Sequence, residues 1–299
     1  MKKTLIIGST VLDIIIDVNA LPSTTEDLHV QQQTMCLGGC AYNVQNIVQL
    51  FDLPHLFCSP IGSGVYGDYV AKQLSERGVE PFLRIKEQDS GCCYCFVEPH
   101  GERTFLSYHG AEYTFQEEWL KDQNMNDYDK VYICGLEVEE PTGDNLVAFL
   151  ENNRHLEIYF APGPRIKRIE KHKLHALFAL SPIIHLNRDE ICSYTNQVNL
   201  DHAAQALYKK TNNTIIITDG DNGAYYFDEK GLHHVPGYAT QVVNTIGAGD
   251  AHVGAVMACR KLGYSYAKSL NIANQISAKV VATKGSHLPV DDFQQMKIS

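Results

Sequence analysis

An alternation of apolar segments with helix-like stretches constrains the fold of this chain more than any other feature of its sequence. Short apolar segments recur at 130–134, 156–160, 183–186 and 214–218. Strands that alternate with helices in this way form a mostly parallel sheet covered by helices. The sequence therefore predicts an α/β fold with strands at these segments.

Each of these predicted strands is followed by a polar or Gly-rich cluster. The clusters lie at 135–137, 161–165, 187–190 and 219–220. In parallel sheets the carboxyl ends of the strands meet at one edge, and active sites form there. We therefore expect the clusters to lie together in a functional site.

The Gly-rich stretch 244–255, Asn-Thr-Ile-Gly-Ala-Gly-Asp-Ala-His-Val-Gly-Ala, leads into a predicted helix. A helix N-terminus exposes unpaired backbone N–H groups and the positive end of the helix dipole, which together bind anions. Its glycines leave room for a phosphate. Two interpretations of Asp250 stay open. It is a helix cap, or it accepts a proton from a hydroxyl that attacks a phosphoryl group.

A second Gly-rich turn precedes a predicted helix near the N-terminus. Gly38 and Gly39 there indicate either a tight turn or close approach of a ligand to the backbone. Further upstream, Asp13 interrupts an apolar segment at 5–18, which we interpret as a central strand that continues as a second strand. A carboxylate buried without partners is costly, so Asp13 either faces solvent or has a function.

The composition is that of an acidic globular protein. The chain has 299 residues, 44% of them hydrophobic and 20% charged, and a formal net charge of −10. This charge argues against a general binder of nucleic acid or anionic membranes. No apolar run resembles a signal peptide or a transmembrane segment, so we expect a cytoplasmic protein. Nine cysteines without zinc-type spacing favour reduced thiols over disulfides or a metal site.

Residues 244–255 also resemble the C-terminal motif of the ribokinase-like (PfkB) family of carbohydrate kinases, D-T-x-G-A-G-D-x-F-x-G-A. The matching residues are Thr245, Gly247, Ala248, Gly249, Asp250, Gly254 and Ala255. Asn244 stands in place of the first Asp, and His252 in place of Phe. Shorter family motifs occur at 38–43 (G-G-x-x-x-N), 187–190 (N-x-x-E) and 218–220 (T-x-G). The resemblance extends from Gly8 to a closing Lys284-Gly285 pair.

The resemblance implies a three-layer α/β/α fold with a mostly parallel central sheet and a small β-sheet lid over the acceptor. The lid would be built from segments near 13–36 and 91–110, with a turn at His100-Gly101-Glu102-Arg103. Residues 1–299 would form a single kinase domain. A closed lid would exclude water, which otherwise competes as phosphoryl acceptor. In the family the lid is often also a dimer contact, so a homodimer through the lid is an expectation of the resemblance.

The function that the resemblance implies is ATP-dependent phosphorylation of a hydroxymethyl group of a sugar or sugar-like molecule. Asp250 would be the catalytic base, and the N–H groups of Gly247, Ala248 and Gly249 would stabilise charge on the transferring phosphoryl group. The residues implied to bind the acceptor are Asp13, Gly38, Gly39, Asn43 and Glu137. The residues implied on the ATP side are Asn187, Glu190, Thr218, Gly220, Asn274 and Gly285, with Glu190 holding Mg²⁺ through water.

Some of these positions allow a second interpretation. Asn187-x-x-Glu190 is also typical of a helix start with an acidic first turn. Arg103 either points at the substrate or is a solvated arginine at a hairpin tip. Asn244 occupies a position where many relatives have an Asp that helps bind a monovalent cation. An amide oxygen can coordinate a cation but carries no charge, so a requirement for K⁺ stays open.

The sequence leaves the acceptor open between a sugar, a nucleoside and a sugar phosphate. A phosphorylated acceptor would need Lys or Arg beside it; Arg103 and Arg165 are candidates, whereas Cys40 stands where ribokinases have Lys. A binding regulator that has lost catalysis is a further alternative, which the intact Gly-Ala-Gly-Asp run disfavours. No G-x-G-x-x-G follows the first predicted strand, which disfavours a Rossmann dehydrogenase.

Overall fold

The computed structural model describes residues 1–99, 102–283, 285 and 288–296. Its strands are β1 (Lys3–Ile7), β2 (Val11–Asp17), β3 (Gln32–Gly38), β4 (His55–Cys58), β5 (Pro60–Ser63), β6 (Leu83–Asp89), β7 (Cys92–Val97), β8 (Arg103–Tyr108), β9 (Tyr128–Cys134), β10 (Glu157–Ala161), β11 (Ile183–Asn187), β12 (Ile215–Thr218), β13 (Ala224–Asp228) and β14 (Gly231–Val235). Its helices are α1 (Cys40–Leu50), α2 (Gly64–Ser75), α3 (Gly135–Glu139), α4 (Gly143–Asn152), α5 (Lys171–Ala179), α6 (Arg188–Thr195), α7 (Leu200–Thr211), α8 (Ala248–Lys261), α9 (Tyr266–Val281) and α10 (Val290–Gln295).

Among the described residues, eight strands form a central sheet with the order β14-β13-β12-β11-β10-β9-β1-β4. From β12 to β4 every neighbouring pair is parallel, whereas β13 and β14 form an antiparallel hairpin at one edge. The predicted α/β fold with a mostly parallel sheet is therefore confirmed. The strands expected between residues 130 and 218 are β9 to β12, with bounds shifted by at most two residues.

Helices cover both faces of the central sheet, because its buried strands carry apolar side chains on both sides. Leu5 and Ile7 of β1 pack in the layer that includes Leu150 of α4 and residues of α5 to α7. Ile6, between them, faces the opposite layer with Val256 of α8 and residues of α1 and α9. The three-layer α/β/α arrangement is therefore confirmed.

A separate sheet with the strand order β3-β2-β7-β8 lies over the carboxyl ends of the central strands. One face packs on α2 through residues such as Leu12 and Ile14. The other face carries Asp13, Cys93 and Ser107, which line a cavity. β2 and β3 lie in or next to the expected segment 13–36, and β7 and β8 lie in the expected segment 91–110. We call this sheet the lid sheet, and its closure over an acceptor stays a prediction. Of the turn predicted at 100–103, His100 and Gly101 lie outside the described residues, and Arg103 is already the first residue of β8.

The polar cluster that follows β9 is itself helical. Gly135–Glu139 form α3, and the next helix, α4, begins at Gly143. All nine cysteines of the chain lie in the described ranges and are free thiols. Within those ranges, no helix combines the length and the apolar character needed to cross a membrane.

Candidate active site

A cavity of about 770 Å³ lies between the lid sheet and the carboxyl ends of the central strands. The ends of β9 to β12 contribute Gly135, Ala161, Asn187 and Thr218, so the polar clusters expected to lie together do so. The predicted site residues that line the cavity are Asp13, Gly39, Asn43, Asn187, Glu190, Thr218, Gly220, Gly247, Ala248, Gly249, Asp250 and Asn274.

The N-terminus of α8 forms one wall of this cavity. Gly247 precedes the helix with a φ of +77°, a left-handed conformation that favours glycine. A Cβ at Gly249 would meet no atom within 4 Å, so the backbone there is open to the cavity. The N–H groups of a first helical turn have no intrahelical acceptors, and this wall can therefore bind an anion such as a phosphate.

Among the acidic residues that line the cavity are Asp250 from α8 and Asp13 from the lid. Asp250 Oδ2 accepts a hydrogen bond of 2.9 Å from Asn43 Nδ2. Burial raises the pKa of Asp250 to about 6, although hydrogen bonds from Asn43 and Cys40 oppose the shift. Burial and the charge of Asp250 raise the pKa of Asp13 to about 7. A carboxylate with such a pKa can accept a proton during a reaction and release it afterwards.

The glycine pair before α1 makes room for the protein's own atoms. A Cβ at Gly38 would lie 1.9 Å from Asp13 Oδ2, and a Cβ at Gly39 would lie 2.4 Å from the carbonyl oxygen of Ser9. Gly39 also has a φ of +100°. The chain can therefore turn directly into α1, whose first turn carries Asn43 to Asp250.

Glu137 lies beneath the cavity rather than in its lining. Its side chain is fully buried. Oε1 accepts a hydrogen bond of 2.8 Å from the backbone N–H of Ser9, and Oε2 accepts one of 2.7 Å from Cys134 Sγ. The acceptor contact that the resemblance implied is not open to this side chain in the structure. The charge of Glu137 instead acts on Asp250, whose pKa it raises further.

Asn187 and Glu190 form a capping box at the start of α6, which confirms the helix-start interpretation. Asn187 Oδ1 accepts from the backbone N–H of Glu190, and Glu190 Oε2 accepts from that of Asn187, both at 2.8 Å. Both residues also line the cavity, and burial raises the pKa of Glu190.

Glu190 fits Mg²⁺ as well. The capping box uses Oε2, and Oε1 is an oxygen of the kind that Mg²⁺ binds directly or through water. The described residues hold no group of three or more His, Cys, Asp or Glu side chains that could bind a metal ion. An ion at this carboxylate would therefore keep most of its waters, as Mg²⁺ commonly does beside substrate phosphates.

A buried chain of hydrogen bonds at the cavity joins β11, α8 and α9. His185 Nε2 lies 2.9 Å from His252 Nδ1, and His252 Nε2 lies 3.1 Å from Asn274 Oδ1. Asn274 Nδ2 donates to the carbonyl oxygens of Val235 and Pro236, so its Oδ1 faces His252 as an acceptor. His252 Nε2 therefore carries the proton, and His252 Nδ1 accepts from His185. Burial lowers the pKa of both histidines, which keeps the pair neutral.

His185 was not among the predicted site residues, and His252 was predicted only as a departure from a family motif. Each interrupts an apolar run, and a buried polar group needs a partner; that signal could have paired them. Asn274 was expected beside the nucleotide. It does line the cavity, but its amide is used within the protein, where it holds the end of the β13–β14 hairpin.

The other predicted residues that the structure describes lie outside the cavity lining. Arg103 is the first residue of β8, and its Nη1 donates to Thr245 Oγ1 at 3.3 Å, a contact that joins the lid to the Gly-rich loop. Asn244 Nδ2 donates to the carbonyl oxygen of Gly285 at 3.1 Å. Lys284, the other half of the closing pair, lies outside the described residues.

The fold and its cavity define the class of the protein, a ribokinase-like α/β fold. The structure is similar to that of ribokinase from Thermotoga maritima, with a TM-score of 0.84 over 98% of each chain and 17% sequence identity. It is also similar to a putative ribokinase II from Escherichia coli in complex with ATP and Mg²⁺, with a TM-score of 0.79 over 98% of each chain and 20% identity.

The family follows from the sequence. The model of the pfkB family of carbohydrate kinases matches residues 1–292, and the chain therefore belongs to this family. It is an ATP-dependent kinase of the sugar and nucleoside class. The uncharacterized sugar kinase YegV of Escherichia coli (strain K12) is 30% identical over 288 residues, which cover 95% of this chain and 90% of the relative.

Proposed function

We propose that this kinase transfers the γ-phosphoryl group of ATP to a hydroxymethyl group of a sugar, with Asp250 as the catalytic base. The observation that supports this most directly is the position of the Asp250 carboxylate, which Asn43 holds at 2.9 Å in the first turn of α8. A proton acceptor and an anion-binding helix terminus thus occupy the same turn. Phosphoryl transfer depends mainly on an oriented nucleophile and on charge stabilisation.

In the proposed reaction the acceptor oxygen attacks the γ phosphorus of ATP in line, and its proton passes to the Asp250 carboxylate. The bond from the γ phosphorus to the bridging oxygen breaks, and ADP leaves with that electron pair. The backbone N–H groups of Gly247, Ala248 and Gly249 stabilise the charge on the transferring group. Asp250 later releases its proton to solvent, as its pKa of about 6 allows.

Asp13, Gly39 and Asn43 hold the acceptor in this proposal. Asp13 accepts hydrogen bonds from sugar hydroxyls and comes from the lid, so closure of the lid and binding of the sugar are coupled. Because the acceptor is held with one hydroxyl facing the γ-phosphate, little orientational entropy is lost in the reaction itself. Gly38 contributes indirectly, because it leaves space for the Asp13 carboxylate.

The ATP side of the site is proposed to lie at the ends of β11 and β12. Thr218 and Gly220 offer a hydroxyl and backbone N–H groups to the phosphates, and Gly220 has the φ of +53° that such a turn needs. Glu190 would hold Mg²⁺ through water. When bound, Mg²⁺ neutralises charge on the ATP oxygens. Asn274 positions the neighbouring hairpin end instead of contacting the nucleotide through its amide.

An uncharged acceptor suits the cavity better than a sugar phosphate. Arg165 lines the cavity, but its Nη1 donates to Glu139 Oε2 at 3.0 Å. Arg103 donates to Thr245, and Cys40 adds no positive charge. A phosphate group on the acceptor would have to compete for arginines that already have partners.

A nucleoside is the second candidate acceptor, and Phe105 favours it. This residue of β8 lines the cavity from the lid and is 53% exposed. An aromatic ring in that position can stack on a base. A simple sugar would leave much of the ring uncovered.

The proposal is tested by ADP release from Mg-ATP across a panel of sugars, nucleosides and sugar phosphates, with wild type and Asp250→Asn. Asn keeps the shape of the side chain but cannot accept a proton. We expect kcat to fall by about 10²–10⁴-fold while ATP binding is retained. Asp201→Asn is the matched control, because Asp201 occupies the first turn of another helix, α7; it should leave turnover unchanged.

The outcomes separate the parts of the proposal. If Asp250→Asn turned over as fast as wild type, Asp250 would not be the catalytic base. A nucleoside phosphorylated much faster than every sugar would replace the sugar as acceptor. ATP binding without turnover on any member of the panel would overturn the assigned acceptor classes.

A further inference from the structure

Asn244 joins the Gly-rich loop to the segment that follows α9. Its Nδ2 donates to the carbonyl oxygen of Gly285 at 3.1 Å, and its Oδ1 accepts from the backbone N–H of Ile246 at 2.9 Å. These two partners fix the orientation of the amide. A flipped amide would place oxygen against the Gly285 carbonyl and NH₂ against an N–H group.

The end of α9 holds the same loop through backbone hydrogen bonds. The N–H groups of Val243 and Asn244 both donate to the carbonyl oxygen of Val281, at 2.9 and 3.0 Å. The loop reaches Gly247 and Ala248 within four residues, where α8 begins. The contacts of this loop with Val281 and Gly285 therefore also position the N–H groups that are proposed to bind the phosphoryl group.

Among the residues that the structure describes around Asn244, the atoms do not fit a monovalent cation. Proteins bind K⁺ with several oxygen atoms whose lone pairs point at the ion. Here the oxygens of Asn244, Gly285 and Val281 each already accept an N–H group. The group that faces the Gly285 carbonyl is itself a donor, which repels a cation, and Asn244 carries no negative charge.

We propose that the Asn244 amide takes the place of a bound monovalent cation, so that this kinase works without K⁺. The amide satisfies the Gly285 carbonyl directly and holds the loop to it. No ion has to be recruited before the anion site is formed. The inference rests on the proposed role of the loop in phosphoryl transfer.

The variant Asn244→Asp replaces the hydrogen-bond donor Nδ2 with a carboxylate oxygen, which is an acceptor. Its carboxylate cannot donate to the Gly285 carbonyl, and the two oxygens repel unless a cation lies between them. We expect its turnover to be about 10-fold lower in tetramethylammonium chloride than in KCl at equal ionic strength, and that of wild type to agree within about 2-fold. Asn244→Ala, which lacks both the donor and the charge, should be impaired equally in both salts.

Asn126→Asp is the matched control for the added charge. Asn126 is exposed in the turn Met125–Asp127, just before β9 and therefore at the opposite end of the strands from the cavity. This variant should respond to the two salts as wild type does. A cation requirement in Asn126→Asp would mean that net charge, rather than the contact with Gly285, decides the response, and would overturn the proposal.

Thermal unfolding gives a second readout that does not need turnover. Any ion that binds the folded state raises the midpoint of unfolding. KCl should therefore raise the midpoint of Asn244→Asp, relative to tetramethylammonium chloride, and leave that of wild type unchanged. The inference would be overturned if K⁺ stabilised or strongly activated wild type. It would also be overturned if K⁺ changed neither the turnover nor the unfolding midpoint of Asn244→Asp. Absence of turnover in every salt would count against the proposed function instead.

Discussion

Ionised Asp250, the proposed catalytic base, lowers the free energy of unfolding of the protein. Burial raises the pKa of its carboxyl from 3.8 to about 6. The folded state therefore binds this proton more tightly than the unfolded chain does, and ionisation of Asp250 disfavours folding. The loss begins as the pH rises above about 3.8 and is complete above about 6.

We predict that Asp250→Asn is more stable than wild type at pH 8. The free energy of unfolding should rise by on the order of 2 kcal/mol, because the amide keeps a hydrogen bond from Asn43 and carries no charge. Urea unfolding at pH 8 and pH 4 checks this, since the gain should shrink strongly at pH 4. Asp201→Asn should change little at either pH. An equal gain at both pH values would contradict a role for ionisation.

Gly38 and Gly39 also show what a local sequence pattern leaves out, namely the distant atoms that pack against a residue. Gly38 and Gly39 indicated a turn or a ligand contact. The atoms that exclude a side chain there are Asp13 Oδ2 and the carbonyl of Ser9, which lie more than 20 residues upstream. No pattern around the glycines could name those partners.

At the scale of secondary-structure elements, α8 is held in place by His252. This side chain joins α8 to β11 through His185 and to α9 through Asn274. It lies two residues after Asp250, on the same helix. The contact therefore fixes the helix that carries both the candidate base and the anion site.

We predict that His252→Phe, which restores the residue of the family motif, destabilises the protein. It leaves an N–H of His185 and the oxygen of Asn274 buried without partners, at a cost of about 1–3 kcal/mol for each. Adding His185→Leu removes one of these unpaired groups. The free energy of unfolding of the double variant should therefore be about 1 kcal/mol higher than the sum of the two single effects predicts. Urea unfolding of the four proteins measures this coupling. Additive effects would contradict the hydrogen-bonded pair.

The start of α6 shows that a structural and a chemical interpretation can apply to the same residues. The capping box of Asn187 and Glu190 accounts for the N-x-x-E spacing without any ligand. The same residues also line the cavity, because α6 begins at the carboxyl end of β11. The family motif and the helix signal are therefore not competing explanations.

At the scale of the whole molecule, the cavity walls come from widely separated parts of the chain. The lid uses β2 and β3, which lie between β1 and α1, and β7 and β8, which come later. Residues of the lid thus enclose a cavity whose floor belongs to the central sheet. For this reason we propose that residues 1–299 act as one domain.

We predict that two copies of the chain associate through the lid. β8 is an edge strand, and on the face away from the cavity it exposes Leu106 by 60% and Tyr108 by 62%. An exposed apolar edge favours pairing with another chain. Sedimentation should give a dimer for wild type and a monomer for the double variant Leu106→Lys/Tyr108→Lys. Val198→Lys, at a residue 96% exposed outside the lid, is the control and should remain dimeric. A monomeric wild type at micromolar concentration would contradict the prediction.

The sequence by itself determined the features that depend on near neighbours in the chain. The strands β9 to β12, the helix that follows the Gly-rich stretch and the helix start with an acidic first turn at α6 all follow from patterns a few residues long, because backbone hydrogen bonds and side-chain periodicity act over that range. The family motifs then placed these elements in a known order.

Only the tertiary structure decided which distant groups meet. Asn43 and Asp250 form a hydrogen bond across 207 positions of sequence, and Ser9 and Glu137 form one across 128. Packing also buried Glu137, although the resemblance implied that it contacts the acceptor. Asn244, whose cation role was open, became a donor to Gly285. Such contacts depend on how whole layers pack, and a polar atom takes the partner that packing brings within hydrogen-bond distance, which no local pattern records.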